Sequence, residues 1–371
     1  MEGDARQVLA ELDVEAVPIT GSLRQGMIER RQRHVNPAEA LRSIAFELEA
    51  AGAPTYKVRA FRNAAAAVDL LDPSRLKELA MSNRLESIRG IGKSTAKVIT
   101  EALAGTDPGY LAALEREARG EPESGPVANL LNALRGDCHS HSNWSDGGSP
   151  IEEMAETAAA LGRSYQALTD HSPRLTVAHG LNAERLRDQL GVVAALNKQM
   201  SPFRLLSGIE VDILEDGSLD QDVGLLAELD VVVASVHSKL RMESEPMTRR
   251  MLAAIESPHV DILGHCTGRI IRGSGRPPST FDHEAVFRAC AETDTAVEIN
   301  SRPDRRDPPR DLLELAASLG CRFSIDSDAH APGQLAWLSF GCEQAVEASI
   351  PPESVINTLE LDELLAWTAG H

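Results

Sequence analysis

The sequence has no Cys-x-x-Cys pair and no regular cysteine framework. Its five cysteines, Cys138, Cys266, Cys290, Cys321 and Cys342, are scattered and odd in number. That argues against a disulfide scaffold and predicts reduced, buried thiols in a cytosol. No apolar run approaches membrane length, and the N-terminus lacks a charged-then-apolar leader. A soluble cytoplasmic protein with no membrane partner is expected; oligomeric state is left open. Internal repeats are missing, and low complexity is confined to Ala64–Ala67. Basic residues are scarce: 37 Lys and Arg stand against 56 Asp and Glu, a net −19. Taken whole, that charge speaks against a nucleic-acid partner.

The distribution reverses this. Residues 23 to 104 carry 14 basic and 9 acidic side chains, a net +5, and the remainder carries 23 basic and 47 acidic, a net −24. A basic module is joined to an acidic one, and acidic excess suits a cation-binding site. With 371 residues, two domains are expected. Residues 1–35 read as an N-terminal extension, with a short helix over Ala5–Leu12 and a basic face at Arg30–His34.

Asn36-Pro37 reads as a helix cap followed by proline in the first turn. Leu41, Ile44, Ala45 and Leu48 then recur at helical spacing. Further helices are predicted over Val58–Leu70 and Ser74–Met81. From Leu85 the pattern implies a short helix, a Gly90-Ile91-Gly92 turn and a new helix. Such a turn can aim backbone N–H groups outward at a positive helix end, a phosphate site. Gly90, Gly92, Lys93, Ser94 and Lys97 are the candidate DNA-backbone contacts, without sequence reading. The alternative is a plain turn between helices. Residues 36–105, with Ala50-Ala51-Gly52, Tyr56 to Arg62 and Gly90 to Lys93, resemble the N-terminal helix-hairpin-helix domain of family X DNA polymerases. The position of that family's Schiff-base lysine is Val98 here, which argues against its lyase chemistry. Residues 106–135, with a helix at Leu111–Arg119 and breakers at 120–126, read as a linker.

Beyond Gly136, β-rich runs alternate with helical ones, the pattern of a parallel sheet with crossover helices. Candidate strands end at His139, Asp170-His171, Glu210, Ser235 to His237, Gly264-His265, Glu298 to Asn300 and Asp326 to His330. Helices are expected over Ile151–Leu161, Ala183–Lys198, Thr248–Ile255, His283–Thr293 and Asp311–Leu319. In parallel barrels the carboxyl ends of the strands form the active rim. His139 and His141, two apart at a strand end, can aim at one point, and Asp146 follows in a loop. His171, Glu210, His237, His265, Asp328 and His330 complete nine candidate ligands. At about three protein ligands per open site, nine suit three metals, or two with spares. His34, His179, His259, His283 and His371 fall outside the pattern. Imidazoles with carboxylates favour Zn, Mn or Fe.

Residues 136–371 resemble the polymerase and histidinol phosphatase (PHP) phosphoesterases. The signatures are Gly136-Asp137-Cys138-His139-Ser140-His141, Thr169 to Ser172, Gly208 to Leu214, Ala234 to Ser238, Gly264 to Arg269 and Asp326 to His330. The resemblance implies an α/β fold: a distorted seven-stranded (β/α)7 TIM-like barrel after a small all-α helix-hairpin-helix domain. It implies three divalent ions. His139, His141, Glu210 and Asp328 would hold the first. His237 and His265 would hold the second, bridged by Glu210, and Asp146, His171 and His330 the third. Such a cluster lowers the pKa of a bound water and neutralises phosphoryl oxygens. Arg269 is a candidate catalytic and substrate-binding residue; Lys239, Arg302 and Arg305 are substrate-binding candidates. Asp170 and Asp326 are candidates for orienting imidazoles. The expected activity is hydrolysis of DNA phosphodiesters, by a 3′–5′ exonuclease or repair nuclease. The alternatives are a small-molecule phosphatase, such as one for histidinol phosphate, and an inactive DNA-binding scaffold. The linker is too short for a polymerase palm, so no polymerase activity is expected.

Overall fold

The computed structural model describes residues 36–117 and 124–370. The readings for Ala5–Leu12 and Arg30–His34, and those for His34 and His371, lie outside the described residues. The chain divides into two compact units between residues 123 and 124.

The first unit is helical: α1 (Pro37–Ala50), α2 (Thr55–Asp69), α3 (Pro73–Met81), a 3₁₀ turn (Leu85–Ser87), α4 (Lys93–Leu103) and α5 (Gly109–Glu117). Asn36 caps α1 by accepting the Ala38 N–H at 2.9 Å, and Asp72 caps α3 through Ser74 and Arg75. Leu41, Ile44 and Leu48 of α1 pack with Phe61, Ala64 and Val68 of α2 and with Val98 and Ile99 of α4. Truncating Leu41 or Ile44, both wholly buried, costs about 2–5 kcal/mol. Arg62 grips Glu49 with two bonds of 2.9 and 2.7 Å, fixing α2 on α1.

The second unit contains α6 (Pro126–Ala133), α7 (Ile151–Ala160), α8 (Ala183–Asn197), α9 (Val223–Leu226), α10 (Ser244–Ile255), α11 (His283–Thr293), α12 (Arg310–Ser318), α13 (Leu338–Glu347) and α14 (Leu361–Thr368). Its strands are β1 (Gly136–Asp137), β2 (Tyr165–Leu168), β3 (Arg204–Asp212), β4 (Val231–Ser235), β5 (Ile262–Leu263), β6 (Ala296–Asn300) and β7 (Phe323–Asp326). Every strand pairs in parallel with the next. With the helices, this makes a (β/α)7 barrel. Period-two alternation sorts the side chains. Leu206, Val231, Val233, Ile262 and Ala296 form the inner cluster with Tyr165, while Ile209, Val232, Leu263, Val297 and Ile299 pack with helix residues such as Leu186, Met251 and Phe287.

The two ends of the sheet meet through one bridge, Ser140 to Ala329, and through side chains. Asn357 donates to Asp326 Oδ1 at 3.0 Å and to the Gly136 carbonyl at 3.4 Å, and accepts the Ile325 N–H at 2.6 Å. Asp326 also accepts the Cys138 N–H at 2.8 Å, and Ser327 donates its hydroxyl to Asp137.

Within 106–135, read as a linker containing one helix, the described residues form two helices, α5 and α6. Leu111 and Leu114 of α5 enter the first core, and Leu130 and Leu131 of α6 enter the second. Leu111 with Leu114, and Val127 with Leu130, Leu131 and Leu134, recur at helical spacing and outweigh the nearby glycines and prolines. Among the described residues, no helix is long and apolar enough to cross a membrane.

Candidate metal centre

Glu210, near the end of β3, has the inward parity of Leu206. Its Oε1 lies 3.0 Å from His237 Nε2, just past β4, and 2.9 Å from His265 Nε2, just past β5. Its Oε2 lies 3.3 Å from His139 Nε2, 3.5 Å from His141 Nε2 and 2.8 Å from His171 Nδ1. One carboxylate is therefore ringed by five imidazoles from four loops.

Asp328 Oδ1 stands 3.4 Å from His141 Nε2 and 4.0 Å from His139 Nε2. Asp146 Oδ1 stands 3.5 Å from His171 Nε2 and 3.4 Å from His330 Nε2. All nine sequence candidates are thus brought together. Three sets have ligand atoms mutually within 4.8 Å: His139, His141 and Glu210; His171, Glu210 and His237; and His141, Asp146, His171 and His330. His171 and His141 each fall in two sets, where the sequence reading gave each one. Asp328 (φ +49°) and His265 (φ +20°) hold positive φ, strain that concentrates at functional sites.

The donor geometry fits cations. Glu210 Oε2 and His171 Nδ1 are buried, yet neither makes a hydrogen bond among the described residues, although they are 2.8 Å apart. The two atoms are close without aligning as donor and acceptor. His139 Nε2 and His141 Nε2 likewise face each other at 3.2 Å. An orphaned buried carboxylate oxygen is costly unless a cation satisfies it, and nitrogen with oxygen donors suits Zn, Mn or Fe.

One further carboxylate orients a ring and another holds a histidine backbone, though neither is one of those expected. Glu298 Oε1 lies 2.6 Å from His139 Nδ1, a contact that favours a proton on this nitrogen and leaves Nε2 facing the cluster. Asp212 Oδ1 accepts the His237 N–H at 3.1 Å and lies 3.4 Å from His237 Nδ1. Asn300 donates to both Glu298 (3.2 Å) and Asp328 (3.1 Å). Asp170 and Asp326 are corrected: Asp170 holds Ser142, Ser145 and Gln189, fixing the loop of Asp146, and Asp326 closes the sheet.

Burial alone would depress the His139 ring, but Glu210 and then Glu298 hold it well above its ordinary value. Burial, then His330 and His171, hold His141 well below. Burial would raise Glu210, yet His237, His139 and His171 keep it ionised well below the usual range. Burial would likewise raise Asp328, which Arg302 and His141 hold well below. The result is a set of buried anions among imidazoles.

Two arginines line the cluster. Arg302 Nη1 lies 3.9 Å from Asp328 Oδ1 and 3.3 Å from His330 Nδ1, with its guanidinium over Trp337 at 5.9 Å. Arg305 Nε lies 3.6 Å from Asp328 Oδ2, and its buried Nη1 has no hydrogen-bond partner among the described residues. Arg269, the candidate catalytic and substrate group, turns two of its donors to a neighbouring loop. Its Nε donates to the Arg305 carbonyl at 3.1 Å and its Nη2 to that of Arg306, so it shapes the loop carrying Arg305. Asp307 ties the same loop to Thr267. Lys239 is exposed, and its ion partner is Glu215 at 3.9 Å, not a cluster carboxylate.

In the first unit Gly90 takes φ +96°, a conformation that favours glycine. Gly92 is extended, and its N–H is not turned outward as expected: the Thr95 hydroxyl accepts it at 2.9 Å. The N–H groups at the α4 start therefore belong to Lys93 and Ser94, both exposed. Lys97 pairs with Glu101 at 3.4 Å. Val98 is a core residue.

A helix-hairpin-helix domain model matches residues 35–107, and the PHP domain model matches residues 137–302. The DNA polymerase/3'-5' exonuclease PolX of Bacillus subtilis is 39% identical over 237 residues, 64% of this chain and 41% of that protein. The chain therefore spans under half of that relative's length. A probable phosphatase of Syntrophotalea carbinolica is 31% identical over 236 residues, 60% of this chain and 92% of that one. A solved histidinol phosphate phosphatase of Lactococcus lactis, complexed with Zn, L-histidinol and phosphate, is 19% identical at TM-score 0.39, over 58% of this chain and 93% of that one.

Proposed function

The chain belongs to the PHP family of phosphoester hydrolases, and from that premise we propose that it cleaves DNA phosphodiesters as a 3′–5′ exonuclease or repair nuclease. The observation that carries the reading is the joining of a helix-hairpin-helix domain to a cluster of nine His, Asp and Glu side chains in one chain. The likeness to a relative named as an exonuclease supports it. Polymerase activity is not part of the proposal, because only residues 108–136 separate the two matched segments.

Three divalent ions of Zn, Mn or Fe type would occupy the barrel mouth. His139, His141, Glu210 and Asp328 would take one. His237 and His265 would take the second with Glu210, within reach of His171. Asp146, His171 and His330 would take the third, with His141 alongside. Such ions supply a water of lowered pKa and positive charge for the phosphoryl oxygens. The chain's own groups do the rest. Glu298 favours one His139 tautomer, and Asp212 holds the His237 backbone. Arg302 and Arg305 aim guanidinium donors at the edge where a phosphate enters. The exposed Lys93 and the α4 start would hold a second backbone phosphate.

A second reading is hydrolysis of a small phosphomonoester such as histidinol phosphate, favoured by the relative named as a probable phosphatase. Elemental analysis, with end-labelled oligonucleotides and histidinol phosphate assayed side by side, separates the two. Oligonucleotide shortening that weakens steeply with salt supports the nuclease. Turnover of histidinol phosphate alone, insensitive to salt, overturns it.

A further inference from the structure

Arg250 is the largest of the wholly buried side chains, in the middle of α10. A buried guanidinium is expensive unless its donors are satisfied. Its partners are neutral oxygens. Nε donates to the Ile213 carbonyl at 3.0 Å, and Nη2 donates to the same oxygen. Nη1 donates to the Ser238 carbonyl at 2.8 Å, and Nη2 also reaches the Ser238 hydroxyl at 3.3 Å.

The two anchored residues are informative. Ile213 follows Asp212, and Ser238 follows His237. Asp212 and His237 face each other across β3 and β4, joined by the 3.1 Å bond from the His237 N–H. The turn after Ile213 also rests on α10. Gly217 sits at φ +87°, and a Cβ there would lie 2.9 Å from the Arg250 carbonyl and 2.5 Å from Ala253 Cβ. One rigid fork thus sets the spacing of the two loops that present His237 and its carboxylate.

We propose that Arg250 is a positioning residue for metal binding: it holds His237 against Asp212 so that Nε2 meets Glu210 at the second cation position. This rests on the reading of the cluster as a metal centre. Small misplacements of a ligand weaken a site strongly, because outer partners fix ligand orientation.

The test is metal content of the full chain, titrated with Zn or Mn under a chelator buffer, for the intact protein, Arg250→Met, His237→Ala and the double variant. Arg250→Met is expected to lose about 10- to 100-fold in affinity for the same ion that His237→Ala loses, with the other ions retained. The double variant is expected to lose no more than His237→Ala alone. Equal affinity for every ion in Arg250→Met, or additive losses in the double variant, overturns the assignment. Should Arg250→Met not fold, Arg250→Lys gives the same reading, since one ammonium can serve the Ile213 carbonyl but not both loops. An intact chain that binds no metal would instead sink the functional reading itself.

Discussion

The Glu298 carboxylate lies 2.6 Å from His139 Nδ1, and both side chains are sealed from solvent. That contact decides which ring nitrogen faces the cluster. Glu298→Gln keeps the shape but weakens the charge that holds the imidazole. Metal affinity is expected to fall about 10- to 100-fold, measured by competition with a chromophoric chelator, while the folding transition stays cooperative.

Arg305 offers a buried guanidinium nitrogen with no protein acceptor among the described residues. A phosphate oxygen is the fitting partner. Arg305→Met is expected to lower kcat/KM by about 10²-fold, the scale of one lost transition-state donor, with metal content unchanged. Arg269→Met, which frees the loop of Arg305, is expected to lower it less. Steady-state kinetics with elemental analysis on the same samples check both.

Lys93, exposed at the α4 start, is expected to matter for DNA alone. Lys93→Glu should weaken oligonucleotide binding across all sequences and reduce the salt slope of the logarithmic binding plot by about 1. Hydrolysis of a small aryl phosphate by the same variant should be unchanged. An equal loss on both substrates would place Lys93 elsewhere in the mechanism.

Removing metal should destabilise the barrel. Ions that bind only the folded state add about 2.7 kcal/mol at one hundred times Kd. A chelator is expected to lower the Tm of the barrel transition and to leave that of the helical unit in place. Differential scanning calorimetry separates the two.

The thiols should be silent in the folded chain. All five cysteines are buried. Burial pushes Cys321 up to about 12, and Cys138, Cys266 and Cys290 are raised well above the usual thiol range. A raised thiol pKa leaves little thiolate, the reactive form, below that value. Alkylation is expected to be negligible and flat from pH 7 to 9, then complete on unfolding, as mass spectrometry would report.

The strand ends were legible because hydrophobic runs stop there at His, Asp or Glu, and a barrel gathers such ends at one mouth. Glu298 and Asp212 were less so. A carboxylate inside a strand looks like any other until the partner strand puts an imidazole beside it. Arg269 shows the opposite case: just past a strand end it reads as a substrate group, and only the loop at 305–306 shows where its Nε and Nη2 go. Helices α6 and α13 escaped notice because their pattern yields to glycine and proline in a local reading; the two pack directly against each other.

Asn357 joins the first and seventh strands. His139 and His141 belong to one side of that join, and Asp328 and His330 to the other. The cluster is therefore split between chain segments separated by almost two hundred residues, and an ion held between them would act as a clasp. The first strand gains its Asn357 partner only from a residue 221 positions further along the chain. Truncation just before that asparagine is expected to weaken metal binding, as elemental analysis would report, without removing a single candidate ligand.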